Sequence, residues 1–169
     1  MKKTFKQMQS SVTKKIILIF CLLSLPVSCF AQSLAGVTSS VHNPAQLSKW
    51  LSNNFRYELE FPDHWQPAQE TLDLKKGDCE DFAILAQNIL KELGIESFIV
   101  IVNLKDFKQS HAICVFKDDK YYSFFSNQIL VQTGAASIEG AVQEGYPDWA
   151  SIIFTNSKKQ SVKIVSRKK

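Results

Sequence analysis

The chain has few of the residues that bind metals or cross-link small domains. Its 169 residues include four cysteines, two of them within the first 31 positions, and three histidines, His42, His64 and His111. Beyond residue 31 only Cys79 and Cys114 remain, and their spacing from the histidines matches no zinc-binding pattern. A disulfide between these two cysteines is the one cross-link left open. The sequence also lacks internal repeats and low-complexity segments, so one domain with its own hydrophobic core is expected.

The first 31 residues have no acidic side chain and carry five lysines, all of which precede an apolar run at Ile16–Phe30. A basic segment, a short apolar segment and small residues at Cys29 and Ala31 are typical of a secretory signal peptide cleaved after Ala31. The run is shorter than the roughly 20 residues of a membrane-spanning helix. We therefore expect export to the periplasm or the medium. The alternatives are a lipid anchor at Cys29 and an uncleaved membrane anchor.

Removal of this segment changes the charge of the chain. The 20 basic residues fall to 15 against 16 acidic ones, so the net charge of +4 becomes −1. The excess of basic over acidic residues therefore lies in the N-terminal segment and gives no indication of nucleic-acid binding. The basic residues at Lys158–Lys159 and Arg167–Lys169 have no interleaved aromatic residues and are expected to form a solvated surface.

Two main helices are predicted early in the remaining sequence. Residues 32–42 are small and polar, which is typical of a linker, and a single domain is expected at residues 43–169. Asn43 as an N-cap, followed by a proline, indicates the first helix. Apolar residues at helical spacing over Cys79–Leu93 indicate the second helix, which Gly94 would end.

The two helices are separated by an ordered loop at residues 56–68 and a short helix at residues 69–74, and strands follow them. Asp118-Asp119 indicates the turn of an antiparallel hairpin, and Ser137 indicates the start of a short helix that ends at Glu144. The predicted strands are Ser97–Leu104, His111–Phe116, Tyr121–Phe125, Ile152–Phe154 and Val162–Val165. Helices followed by a mainly antiparallel sheet predict an α+β fold.

The stretch Lys76–Ala83, KGDCEDFA, places a cysteine among three acids at a helix start. The free N–H groups and the positive dipole end at the first turn favour the nucleophilic thiolate of Cys79, whereas the acids oppose it. Glu80 and Asp81 are turned by about 100° and 200° from Cys79 around the helix, so they need not face the sulfur. The pattern alone leaves Cys79 as a nucleophile, a metal ligand or a core residue. Its backbone N–H is a candidate oxyanion donor.

A nucleophilic cysteine needs a base, and His111 is the best candidate. It begins a strand that must pack against the helix, whereas His42 lies in the linker and His64 in the loop. A polar side chain at the end of the next strand, Asn127 or Ser126, would lie beside His111 and orient its imidazole.

One further residue is expected outside this site, and two glutamines are candidates for it. Cys114 lies three residues from His111 on one strand, so it points to the opposite face and is expected in the core. Gln66 or Gln69 is an alternative source of a second oxyanion donor.

Residues 43–130 resemble the transglutaminase-like superfamily. The resemblance rests on GDCED at Gly77–Asp81, on an aromatic loop with Trp65 and Glu70, and on the runs SHAICVF and KYYSFFSN, the first led by His111. Within the superfamily, the sequence resembles the bacterial transglutaminase-like cysteine proteinases, which are the LapG-like periplasmic group. It implies a papain-like α+β fold, in which the cysteine-bearing helix packs on an antiparallel sheet.

The resemblance also implies a reaction. Family members transfer an acyl group from a peptide or glutamine carbonyl through a cysteine thioester, which is then hydrolysed or aminolysed. Cys79 matches the nucleophile and His111 the base. The family usually ends the last of these strands with an aspartate, but this chain has Ser126 and Asn127, which accept a hydrogen bond without a negative charge. Weaker activity is therefore expected, and the alternative is a catalytically degenerate binding module in the cell envelope.

LapG-like members bind calcium through acids near the cysteine, which implies Asp78, Glu80 and Asp81 as calcium ligands. The local alternative is that Asp78 caps the helix, Glu80 complements the helix dipole and Asp81 makes a core hydrogen bond. No other cofactor is expected. The expected partner is a peptide or protein substrate in a cleft at Tyr57 and Trp65, where Trp65 contacts the substrate or anchors the loop. We expect the protein to be a monomer.

Overall fold

The computed structural model describes residues 33–105 and 110–167, so the signal peptide predicted at residues 1–31 lies outside the described residues. The described part contains five helices and eight strands. The helices are α1 (Leu34–Val37), α2 (Pro44–Asn54), α3 (Ala68–Leu74), α4 (Cys79–Glu92) and α5 (Ile138–Gly145). The strands are β1 (Arg56–Tyr57), β2 (Lys76–Gly77), β3 (Ser97–Leu104), β4 (Ser110–Asp118), β5 (Tyr121–Ser126), β6 (Ile129–Gln132), β7 (Trp149–Thr155) and β8 (Ser161–Ser166).

Six strands form one antiparallel sheet in the order β6-β5-β4-β3-β7-β8, whereas β1 and β2 form a separate parallel pair. β4 lies near the middle of the large sheet, and its register places Ser126 of β5 opposite Ile113. Side chains alternate between the two faces of a strand. Successive residues of β4 therefore contribute to two different cores. The predicted α+β class, helices first and then an antiparallel sheet, is confirmed.

Each face of the sheet carries a hydrophobic core. On one face, Phe82, Leu85 and Ile89 of α4 are fully buried and pack in the same cluster as Cys114 of β4. On the other face, α5 supplies Val142 to a second cluster. Full burial of a large apolar side chain contributes roughly 1.5–3 kcal/mol. The first core therefore fixes α4 against the strand that carries His111, and Cys114 is the core residue that the sequence predicts.

α4 begins and ends where the sequence indicates. Asp78 is its N-cap, and Gly94 adopts a φ of 74° just beyond its last turn. In that turn the Gly94 N–H donates to the Lys91 carbonyl (3.0 Å) and the Ile95 N–H to the Leu90 carbonyl (2.8 Å). A left-handed conformation is favourable for glycine, and it allows these bonds to close the helix.

The structure differs from the sequence-based expectations in three places. The segment predicted as a linker contains α1, and its Val37 and Val41 are almost fully buried in the first core. The loop at residues 56–68 contributes β1, and β6 was not predicted, because its partly exposed residues show no clean alternation. Within the described ranges no helix is long and apolar enough to cross a bilayer.

Candidate active site

The start of α4 is held in place by a buried carboxylate. Asp81 is fully buried and accepts hydrogen bonds from the N–H of Gln66 (2.8 Å) and the N–H of Asp78 (3.0 Å). This close packing requires glycine at position 77, because a Cβ there would lie 2.7 Å from the Asp81 carboxylate. Burial raises the pKa of Asp81 to about 6, so at pH 7 the carboxylate is the acceptor of both bonds. The loop before α3 and the first turn of α4 are thereby tied together beside Cys79.

A cleft of about 570 Å³ opens beside this first turn. Cys79 at the start of α4 and His111 at the start of β4 both line it, together with Tyr57 and Trp65 from the preceding loop. Lys159 of the β7–β8 turn contacts the loop that carries Trp65. Its ammonium lies 5.3 Å from the centre of the Trp65 ring. The structure therefore brings together the predicted nucleophile, the predicted base and the predicted substrate-contacting tryptophan.

Cys79 carries a protonated thiol in this arrangement. Its Sγ donates to a carboxyl oxygen of Glu80 at 3.1 Å and accepts a hydrogen bond from the N–H of Ala112. Burial is the main cause that raises the pKa of Cys79 to about 12; Glu80 and Asp78 raise it further, while Ala112 opposes them. The expectation that Glu80 points away from the sulfur is wrong, because its long side chain folds back over the first turn. The stabilisation of a thiolate by the helix N-terminus therefore does not outweigh the effect of burial on the pKa of Cys79.

Glu80 belongs to a chain of interacting carboxyl groups. Burial, together with side-chain hydrogen bonds to Asp63 and Asp78, raises the pKa of Glu80 to about 8. The pKa of Asp63 is lowered instead, since its carboxylate accepts from Glu80 and pairs with Lys159. Glu80 therefore keeps its proton at neutral pH, donates it toward Asp63, and accepts from the thiol of Cys79.

His111 is oriented by Ser126. The Nε2 atom of His111 lies 2.9 Å from Ser126 Oγ, which leaves Nδ1 as the ring nitrogen not engaged by that serine. Burial lowers the pKa of His111, so the imidazole is neutral at pH 7. In the part of the chain that the structure describes, no hydrogen bond joins His111 directly to the Cys79 thiol. The two side chains share the cleft as a neutral thiol and a neutral imidazole.

Asn127, the other predicted orienting residue, makes no hydrogen bond to His111 in the described part of the chain. It has a φ of 52° in the turn between β5 and β6, a conformation that asparagine tolerates better than most residues. Its Oδ1 atom is buried without a hydrogen-bond partner. The sequence left Ser126 and Asn127 as alternatives, and the turn geometry places Ser126 against the imidazole.

Tyr146, which follows α5, is a site residue that sequence reasoning missed. Its hydroxyl is hydrogen-bonded to Ser126 Oγ at 3.0 Å, and its ring lies 5.8 Å from the His111 ring at an angle of 47°. Tyr146 lies 35 residues after His111 in the sequence, and nothing in the surrounding EGYPDW indicates the contact. Only the return of the chain over the second face of the sheet brings it there.

Four other predicted candidates lie outside the catalytic contacts. His64 is exposed and pairs with Glu70 at 3.3 Å, which raises the pKa of His64. Gln66 is fully buried and its amide donates to Glu60, while Gln69 donates to Asp73. The predicted disulfide alternative does not form, since the two cysteines are free. His42 donates its backbone N–H to Gln46 at the start of α2.

Two of the three acids around Cys79 have the geometry of calcium ligands. Ligand atoms of Asp78, Cys79 and Glu80 lie within 4.8 Å of one another, and Asp78 Oδ1 is a buried acceptor without a hydrogen-bond partner. Both oxygens of Asp81 already accept backbone N–H groups, and Asp81 is outside the cluster. Calcium prefers oxygen ligands. Asp78 and Glu80 therefore fit a calcium ion. Asp81 instead makes core hydrogen bonds, which is the local role that the sequence offered as the alternative to calcium binding.

Residues 29–129, more than half of the chain, match the sequence model of the transglutaminase-like superfamily. The chain therefore belongs to this superfamily, as its resemblance predicts. A search of curated proteins finds no match.

Solved structures with a similar backbone share little sequence with this chain. They include a candidate cysteine protease from Cytophaga hutchinsonii, with 19% identity and a TM-score of 0.49 over 61% of this chain and 39% of that one. Calcium-bound LapG of Legionella pneumophila shows 22% identity and a TM-score of 0.49 over 66% of this chain and 64% of that one. EGTA-treated LapG shows 16% identity and a TM-score of 0.47 over 78% of this chain and 88% of that one. The chain spans less than two thirds of the first two proteins.

Proposed function

We propose that this protein is an exported cysteine peptidase, or a related acyl-transfer enzyme, that acts on a peptide or protein through a thioester on Cys79. The observation that carries the proposal is the meeting of Cys79 and His111 in one cleft, with Nε2 of His111 held by Ser126. Membership of the transglutaminase-like superfamily supports the same chemistry. The signal peptide predicted from the composition of the first 31 residues supports action outside the cytoplasm.

The proposed reaction uses the two ring nitrogens of His111 in different roles. It requires the proton of His111 to lie on Nε2, toward Ser126, so that the Nδ1 lone pair accepts the proton of Cys79 as the sulfur attacks the carbonyl carbon. The Cys79 N–H donates to the resulting oxyanion. His111 then returns the proton to the leaving amine, and the thioester remains. Water, or a second amine, attacks the thioester while His111 removes its proton, and the thiol is regenerated.

The neutral pair explains how a thiol with a raised pKa can act. Burial disfavours the charged form of both groups, so the pair starts as thiol and imidazole rather than as thiolate and imidazolium. Proton transfer to His111 must then accompany attack on the substrate. The Glu80 carboxyl must also release Sγ before the proton can pass to Nδ1.

The second candidate function is a binding module without catalysis. The observation that favours it is the neutral Ser126 beside His111, where a carboxylate would stabilise the imidazolium. The hydrogen bond from Cys79 to Glu80, which occupies the thiol proton, favours it as well. Such a module would hold a peptide between Tyr57 and Trp65 without cleaving it.

Covalent labelling by a peptidyl epoxide, followed by mass spectrometry, tests the proposal. We expect modification at Cys79 and none at Cys114, which is fully buried. His111→Ala should slow the labelling by about a hundredfold, the lower range for loss of a general base. Iodoacetamide is the small-reagent control. Because the pKa of Cys79 is about 12, its alkylation rate should rise steadily from pH 7 to pH 10 without a plateau.

The opposite outcome favours the binding module. Peptidyl labelling of Cys79 that is no faster than iodoacetamide labelling, and that is unchanged in His111→Ala, would show that the cleft and the base do not cooperate with the thiol.

Calcium is the cofactor that Asp78 and Glu80 fit. Asp78 and Glu80 would hold it, and a bound calcium ion would favour the ionised form of the Glu80 carboxyl beside the nucleophile. By isothermal titration calorimetry we expect Asp78→Asn and Glu80→Gln each to weaken calcium binding by at least about tenfold. Asn preserves the N-cap of α4, so the loss would report the ligand charge. Asp73→Asn, on the exposed side of α3, is the control; equal affinity in all four proteins would exclude this site.

A further inference from the structure

A row of apolar side chains crosses the large sheet on the face that carries α4. Its members are paired in register across four adjacent strands and are called the apolar floor: Ala112 of β4, Ile101 of β3, Ile153 of β7 and Ile164 of β8. Residues that are paired directly across antiparallel strands project from the same face of a sheet. Ala112 belongs to the first core, so the whole row lies on that face.

The apolar floor begins beside the nucleophile. Ala112 and Ile101 line the cleft, and the N–H of Ala112 donates to Cys79 Sγ. Adjacent strands are about 4.8 Å apart, so three such steps place Ile164 about 14 Å from Ala112. An extended peptide advances about 3.3 Å per residue, which makes the floor about as long as four residues of a bound chain. A chain that reaches Cys79 can therefore also lie along the floor.

The outer part of the apolar floor is open to solvent. α4 packs on β3, β4 and β5, and the floor continues beyond these strands. Ile153 is half-buried, whereas Ile164 is 64% exposed. Val162, two residues before Ile164 and therefore on the same face, is 75% exposed. Single exposed apolar residues are ordinary, but a row that continues out of a cleft indicates a binding surface.

The edge strand β8 does not protect this surface with charge. Edge strands commonly carry a lysine, which discourages pairing with other chains. Lys163 of β8 is paired with Phe154, and its ammonium lies 5.4 Å from the centre of the Phe154 ring. Phe154 packs against the second core, so this lysine belongs to the other face of the sheet. The apolar floor is therefore left without a charged side chain.

The loop that forms another wall of the cleft also exposes apolar side chains. Leu59 lines the cleft and is 71% exposed, and Phe61, two residues further on, is fully exposed. The acids that line the cleft belong to this loop and to the start of α4, and none belongs to the floor. A chain held between Leu59 and Ile101 would therefore meet apolar side chains on both sides.

We propose that the apolar floor is a substrate-binding subsite, which selects chains with apolar side chains next to the bond that Cys79 attacks. Successive side chains of an extended chain point to opposite sides, so the selected positions are alternate ones within about four residues. Ile153 and Ile164 are the specificity-determining residues, because they lie beyond the reacting atoms.

The substrate is the occupant that the position of the floor favours. One end of the floor lies at the thiol, whereas a second copy of the protein could pair along β8 without reaching the cleft. This inference deepens the proposed function and rests on the substrate binding where Cys79 lies.

Peptide binding to Cys79→Ala, which cannot form the thioester, tests the subsite. The probes are two fluorescein-labelled octapeptides, one with alternating valine and serine and one with threonine in place of each valine. Threonine has nearly the shape of valine but carries a hydroxyl group. By fluorescence polarisation we expect the valine peptide to bind at least about tenfold more tightly, since about two side chains face the floor and each contributes about fourfold.

Ile164→Thr should reduce this preference by about fourfold, the effect of about one buried methylene group. Ile164 is exposed and threonine is favourable in a strand, so the fold should be retained. Ile129→Thr is the matched control, because Ile129 is 56% exposed on β6, the opposite edge of the sheet. It should leave the preference unchanged. Epoxide forms of the two peptides should show the same preference in the labelling of Cys79 in the wild type.

Equal binding of the two peptides overturns the inference, as does a valine preference that Ile164→Thr leaves unchanged. If epoxide labelling of Cys79 still depends on His111 in that case, the proposed function survives and this inference alone fails. If the valine preference depends on Ile164 while labelling does not depend on His111, the subsite stands and the catalytic proposal fails. Loss of a dimer in Ile164→Thr without a change in peptide binding, measured by analytical ultracentrifugation, would assign Ile164 to a contact between copies and also overturn the inference.

Discussion

Cys79→Ala is expected to abolish thioester formation and peptide turnover while the fold is retained. Removal of a covalent nucleophile typically costs about ten-thousand-fold or more in rate, because no other group can form the intermediate. The structural cost should be small: Cys79 is only partly buried, and alanine is favourable in a helix. The measurement is the release of peptide fragments together with the mass of the acylated protein, compared with circular dichroism of both proteins.

Cys114→Ala is the matched control for this substitution. Cys114 is the other cysteine of the described part, but it is fully buried in the core against α4 and lies outside the cleft. Its replacement should lower the stability modestly and leave acylation at Cys79 in place. Turnover that survives Cys79→Ala, or that is lost equally in Cys114→Ala, would contradict the assignment of the nucleophile.

The sequence predicts α4 and its position in the fold well, for physical reasons. Its apolar residues recur at helical spacing, Asp78 can cap it and Gly94 can end it, so three independent local signals agree. The sequence signals for β3, β4 and β5 of the large sheet are similarly strong, because β-branched and aromatic residues cluster between turn residues. Asp118-Asp119 marks the hairpin between β4 and β5 correctly, since Asp119 adopts a left-handed φ of 55°.

The parts that the sequence does not predict are those set by long-range contacts. The choice between Ser126 and Asn127 depends on where the strand ends and the turn begins, and a shift of one residue reverses the face. Tyr146 reaches Ser126 only because α5 returns over the sheet. The position of Glu80 over the thiol is a rotamer choice, which helical geometry alone does not determine.

Tertiary contacts also explain why the segment predicted as a linker, residues 32–42, is partly ordered against the core. Residues 32–42 are small and polar as a whole, and of the described residues 33–42 only Val37 and Val41 are buried in the first core. Their spacing of four residues is compatible with one helical face, but a four-residue helix offers too little periodicity to detect. Burial against α4 and α3 is what orders them.

Asp81→Ala is expected to lower the free energy of unfolding by about 2–4 kcal/mol, since it leaves two buried N–H groups without an acceptor and each costs about 1–3 kcal/mol. Relief of the buried charge offsets part of this loss. The N–H groups are those of Gln66 and Asp78, so the substitution releases the cleft loop from the first turn of α4. Asp81→Asn should have an intermediate effect, because its amide keeps one acceptor and turns a donor toward the other N–H.

Denaturant unfolding of the two Asp81 variants beside Asp73→Ala measures this contribution. Asp73 is an exposed aspartate that accepts only from the Gln69 side chain, so its loss should cost less than about 0.5 kcal/mol. Because burial raises the pKa of Asp81 from its ordinary value of 3.8 to about 6, the folded protein takes up a proton between these two pH values before the unfolded chain does. The free energy of unfolding of the wild type should therefore rise relative to that of Asp81→Asn as the pH falls through this range. Equal stabilities of the Asp81 and Asp73 variants would show that the two N–H groups find other acceptors, and that the geometry of the nucleophile does not depend on this carboxylate.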